Sequence, residues 1–180
     1  MTDSVNPVVL WLLPMSWLVH DLEEIATIDR WSRRWDPHED DDLTPVQRRF
    51  IGIVASTRQR FTIAVGFVGS VVVGATVAGM FDPNGFGIRI YTTILGGYVL
   101  HAFGHVGQSI VFRGYTPGVV TAVLVVIPAS IALYRRLLSV QLVDIGVITT
   151  TGFLGLVLFV PIVVGANWLA GRIDRWVRTS

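Results

Sequence analysis

Residues 8–28 read VVLWLLPMSWLVHDLEEIATI, and this stretch decides the fold. As far as Val19 it has the composition of a membrane span. It then places His20, Asp21, Glu23 and Glu24 in a row, in a chain with only three glutamates. Carboxylates and an imidazole buried in hydrocarbon are costly unless they pair or bind a metal. A second apolar stretch, residues 90–112, reads IYTTILGGYVLHAFGHVGQSIVF and carries His101 and His105. Two spans therefore hold metal-ligand residues at positions that lipid disfavours.

The 180 residues are 52% hydrophobic and 15% charged, against about 25% charged for soluble domains. That balance predicts an all-α, polytopic transmembrane bundle. Five apolar stretches, about 8–28, 61–81, 88–112, 117–138 and 145–170, are long enough to cross as helices. One membrane domain over residues 1–180 accommodates them. The N-terminal MTDSVN lacks a basic segment, so the first stretch is read as a retained span and not a cleaved signal. The chain has no cysteine and no lysine, which excludes thiolate ligands, cysteine nucleophiles and Schiff-base chemistry. With a net charge of +1, nucleic acid is not an expected partner; membrane lipids are.

Residues 29–60 form the longest connection. Thr44-Pro45 is a helix start, and Val46, Phe50, Ile53, Val54 and Thr57 share one face, which predicts an amphipathic helix at the inner interface. His38 lies in a solvated acidic run and is set aside. Pro14, Pro128 and Pro161 fall within spans and predict kinks.

On a helix, His20, Glu23, Glu24 and Thr27 share a face, as do His101, His105 and Gln108. Asp21 points about 100° away from His20 and is read as peripheral. Gly97 and Gly104 flank the second face and would let another helix approach. Depth links the two sets. At 1.5 Å per residue, His20 lies about 18 Å into its span and His101 about 20 Å; Glu24 and His105 lie at about 24 and 26 Å. These residues suit Zn²⁺ with a water, or non-haem iron in a 2-His-1-carboxylate arrangement. His20, Glu23, Glu24, His101 and His105 are the candidate ligands. Glu23 and Glu24 are the candidate catalytic carboxylates, one binding the metal and the other acting as base. Gln108, Tyr115 and Asn167 are candidate outer groups. Two plainer arrangements use the same residues: a metal-free His–Glu network, and a first helix that ends near Trp17 with His20–Glu24 at the interface.

In these motifs the chain resembles the HXXEE family of uncharacterised integral membrane proteins. The resemblance rests on His20-Asp21-Leu22-Glu23-Glu24, on His101-x-x-x-His105 and on Arg113-Gly-Tyr-Thr-Pro-Gly118. It implies a membrane protein with a metal or catalytic centre, and no particular reaction. The expected function is a metal-dependent membrane enzyme, a hydrolase or a non-haem-iron oxidoreductase, acting on a lipid-like substrate. A metal or proton carrier, or a helical partner in a larger complex, is the alternative.

Arginines set the expected orientation in the cell membrane. With the N-terminus outside and the C-terminus cytoplasmic, eleven arginines lie inside and three (Arg89, Arg135, Arg136) outside. Reporter fusions after Ser4 and after Arg178 are expected on opposite sides of the membrane. The same side for both contradicts the five-span count.

Overall fold

The computed structural model describes residues 7–35, 43–54 and 57–179; His38 and its acidic run lie outside the described residues. Every element among the described residues is helical. The first helix does not stop at Trp17. A 3-10 turn over Pro7–Trp11 leads into α1, Leu12–Ser32. His20–Glu24 therefore sits in mid-helix. Pro14 falls in the first turn of α1, where its missing N–H leaves no bond unmade and no kink is needed.

The second helix, α2, is Pro45–Val54. Thr44 and Gln47 close a capping box before it. The Gln47 N–H donates to Thr44 Oγ1 at 3.3 Å, and the Thr44 N–H donates to Gln47 Oε1 at 2.8 Å. Gln47 Nε2 also donates to the Val111 carbonyl at 3.0 Å. That tie sets how α2 is rotated. Ile51 is buried against Ile28, Trp31, Leu43 and Phe112, while Val46 of the expected apolar stripe is exposed.

Next come α3, Arg58–Phe81, and α4, Phe86–Val111, joined by a tight turn in which Asp82 Oδ2 accepts from the Gly87 N–H at 3.0 Å. Helix α5, Val119–Ser139, is π-helical over Ala122–Val126. The wide turn precedes Pro128 and accommodates a ring that would otherwise crowd the preceding turn. Helix α6, Ile145–Thr179, is continuous through Pro161.

Two links fix the relative directions. The Asp29 carboxylate pairs with Arg58 at 3.3 Å, joining the end of α1 to the start of α3. The Tyr91 hydroxyl donates to the Leu10 carbonyl at 3.0 Å, joining the start of α1 to the start of α4. Thus α1 and α4 run in parallel. Their polar faces meet as the sequence predicts, but their backbones do not pack side by side. Helix α3 and the 119–126 segment touch both from either side, and long side chains cross the gap.

Helices α4 and α6 approach most closely, through glycine. A Cβ on Gly155 would lie 2.5 Å from the Gly97 nitrogen, and one on Gly96 would lie 2.8 Å from the Gly152 Cα. Gly104, the other expected contact, faces open space. The core gathers Leu13, Tyr91, Leu95, Ala122, Val126 and Leu133. The outer surface is apolar as well: Val71, Leu124, Ile131, Phe153, Val157 and Val160 are exposed. Three described helices, Arg58–Phe81, Val119–Ser139 and Ile145–Trp176, are long and apolar enough to cross a membrane. At 21 and 26 residues α1 and α4 are of similar length, α1 carrying His20, Asp21, Glu23, Glu24 and Asp29 and α4 carrying His101 and His105.

Candidate metal centre

The polar residues of α1 and α4 converge. His20 Nε2 lies 3.2 Å from His101 Nε2, which lies 2.9 Å from His105 Nε2. Glu24 Oε1 is 3.3 Å from His105 Nε2, and its Oε2 is 3.9 Å from both His20 Nε2 and His101 Nε2. One donor atom from each of the four residues lies within 4.8 Å of the others. The rings of His20 and His101 cross at 86°, those of His101 and His105 at 86°, and those of His20 and His105 at 76°. They meet edge-on at Nε2 and do not stack.

A zinc or iron ion held at about 2.0–2.2 Å by tetrahedral donors separates those donors by about 3.3–3.6 Å. The separations given above, taken with either Glu24 oxygen, run from 2.9 to 3.9 Å around that spacing, and one donor atom per residue keeps the whole set within 4.8 Å. Hydrogen bonds account for the cluster less well. His101 Nε2 has either one proton or one lone pair, yet it faces two other ring nitrogens.

The far side of His20 settles its tautomer. Thr121 donates twice to Glu23 Oε2, from its hydroxyl at 2.6 Å and from its N–H at 2.7 Å. With that proton committed, Thr121 Oγ1 accepts from His20 Nδ1 at 2.9 Å. His20 Nε2 is then a bare lone pair aimed at the cluster. A carboxylate that orients a ligand imidazole in this way is a common support for a bound metal; here a threonine hydroxyl relays it.

The two glutamates therefore separate. Glu24 faces the imidazoles, is buried, and accepts no hydrogen bond among the described residues. Glu23 does not join the cluster. Its Oε1 accepts from the Tyr115 hydroxyl at 2.8 Å, and both its oxygens are engaged. Partial burial pushes the Tyr115 hydroxyl up to about 12, so it stays a donor.

The turn after α4 closes over the cluster. Thr116 is fully buried, with its hydroxyl 2.8 Å from that of Ser109. His105 Nδ1 is buried near the Pro117 carbonyl, outside hydrogen-bond geometry. Gly118 has φ +83°, and a Cβ there would lie 2.9 Å from Cε1 of both His20 and His105. Only glycine meets both the backbone and the space requirement.

A profile described as "Protein of unknown function with HXXEE motif" matches residues 11–133. The chain belongs to this family. No curated protein and no solved structure matches it. The matched region holds the HXXEE motif, both later histidines, Tyr115–Gly118 and Thr121.

Other residues stand further out. Gln108 and Asn167 line a cavity beside the cluster; Asn167 Nδ2 donates within its own helix to the Val163 carbonyl at 3.0 Å. Asp21, set aside on the helical wheel, is 6% exposed, and its Oδ2 is buried without a partner. With Tyr98, whose hydroxyl is also unpartnered, it lines a second cavity that reaches Glu24 and His101. Neither Thr121 nor Gly118 is a candidate site residue in the sequence, where the family motif ending at Gly118 is the one signal for this turn.

Thr121→Val keeps the shape of the side chain and removes the hydroxyl relay. It is expected to weaken metal binding by about 10- to 100-fold, measured by competition with a chelator. Thr121→Ser should restore most of the affinity. Equal affinity in the valine variant and the wild type contradicts the relay.

Proposed function

We propose that the chain is a metal-dependent enzyme of the cell membrane, with about five spans and a site that takes a membrane-partitioned substrate. His20, Glu24, His101 and His105 hold one zinc or iron ion. The observation that carries this reading is the convergence of three imidazoles on a buried carboxylate that has no other partner. A cation satisfies all four groups at once, whereas their mutual hydrogen bonds do not. In the five-span arrangement α1 and α4 join the three more apolar helices, with the N-terminus outside and the C-terminus cytoplasmic, as the arginine distribution favours.

A zinc ion would be held by His20, Glu24, His101 and His105 and would supply Lewis acidity. An iron ion would be held by the same four residues and would supply redox chemistry. The chain's own groups do the rest. Glu23, through Thr121, holds His20 in the binding tautomer, and Tyr115 holds Glu23. His101, partly exposed, faces the cavities through which substrate enters. A carrier is the second reading. It needs polar groups through both halves of the bundle, and above the site the core is packed with Leu13, Tyr91 and Leu95.

Metal analysis of detergent-purified protein tests the reading. Close to one zinc or iron per chain is expected in the wild type, with His101→Ala and Glu24→Ala both falling to a small fraction of that. A variant that remains folded by circular dichroism and keeps full metal content contradicts the ligand set.

A further inference from the structure

Two cavities adjoin the cluster, and they differ in character. The wider, about 550 Å³, is lined by His101, His105, Gln108, Arg60, Asn167 and Trp168. The smaller, about 120 Å³, runs between α3, α4 and α6 and is walled by Val65, Val68, Val72, Ile94, Leu158 and Ile162. Glu24, Phe61, His101, Phe159 and Val163 line both, so the cavities meet at the cluster. Both reach the surface of the bundle. Val71, on the smaller, and Val164 and Trp168, on the wider, are exposed at the bundle surface.

The wider cavity carries an uncompensated charge. Arg60 donates from Nη2 to the Asn167 carbonyl at 3.4 Å, and no carboxylate among the described residues pairs with it. Its neighbour Arg58 is paired with Asp29. A guanidinium held by a neutral carbonyl keeps most of its donors free for a carboxylate or phosphate. In the smaller cavity, which Glu24 and His101 also line, the unpartnered Asp21 Oδ2 and Tyr98 hydroxyl call for a polar group and not a methylene.

We propose that this paired cavity binds one anionic amphiphilic lipid, with its headgroup at Arg60, its polar linkage beside His101 and Glu24, and a hydrocarbon chain between α3 and α6. The order of chemistry along the cavities is cationic, then polar at the metal ligands, then apolar, and a lipid has the same order. A soluble anion would use only the first part, and a neutral hydrocarbon only the last. The assignment rests on the proposed enzymatic reading for its meaning as a substrate site, but binding itself does not depend on the metal.

The test is native mass spectrometry of the detergent-solubilised full chain, titrated with phosphatidylglycerol and, separately, phosphatidylcholine of matched chains. A preference of about five-fold for the anionic lipid is expected, the size of one cation–lipid contact. Arg60→Gln should abolish the preference, and Arg58→Gln should leave it intact. Val65→Trp, which fills the apolar cavity, should weaken both lipids without changing their ratio. Equal binding of the two lipids, or a preference that survives in Arg60→Gln, overturns the proposal. So does displacement of the lipid by millimolar inorganic phosphate, which would make the site one for a free anion. Metal content, measured on the same samples, separates the two readings. Full metal without lipid preference removes this inference alone, and lipid preference without metal removes the enzymatic reading alone.

Discussion

The Glu24 carboxylate is the constraint on which the rest of the structure depends. It is buried between helices of an apolar bundle, and its near neighbours are three imidazoles at 3.3 to 3.9 Å. A buried charge in that position is destabilising by several kcal/mol unless it is answered. The three imidazoles and Glu24 together could hold a cation. Each imidazole presents Nε2, and the one whose tautomer can be read has its proton on the opposite nitrogen.

Much of the local structure follows from holding those rings in place. The gap between α1 and α4 is the length of two side chains, and α3 and the 119–126 segment keep it open on either side. The left-handed Gly118 brings the turn down onto His20 and His105, and a π-helical segment follows at once. π-Helical turns are costly and collect at functional sites. On the other side of α4, paired glycines draw α6 in so that Phe159 packs 5.4 Å from the His101 ring. The family motifs thus meet in one place: His20 and Glu24 face the other histidines, Glu23 and Tyr115 hydrogen-bond behind them, and Gly118 makes room.

The sequence shows the helices and the convergence of His20, Glu24, His101 and His105, because span depth and helical periodicity are fixed by geometry alone. It does not separate the glutamates. Both lie on the His20 face, and which one turns inward depends on where Thr121 and Tyr115 sit, in a segment about a hundred residues away. Thr121 itself looks like any threonine in a span. Asp21 stays outside the cluster, as its direction on the helical wheel implies, but the wheel does not show that α3 packs there and encloses it. Matched depth does not show how far apart α1 and α4 lie, because facing side chains do not require touching backbones. Pro14 lies in a first turn, and Pro161 lies within a helix that continues past it.

X-ray absorption at the edge of whichever metal copurifies with the full chain tests the central claim most directly. The account predicts a first shell of nitrogen and oxygen near 2.0–2.2 Å, with the outer-shell scattering of about three imidazoles and no sulfur. In Glu24→Gln the shell should lose or lengthen one oxygen contact while the imidazole signal persists. A shell of water oxygens without imidazole scattering, or purified protein with no bound metal in any preparation, would contradict it.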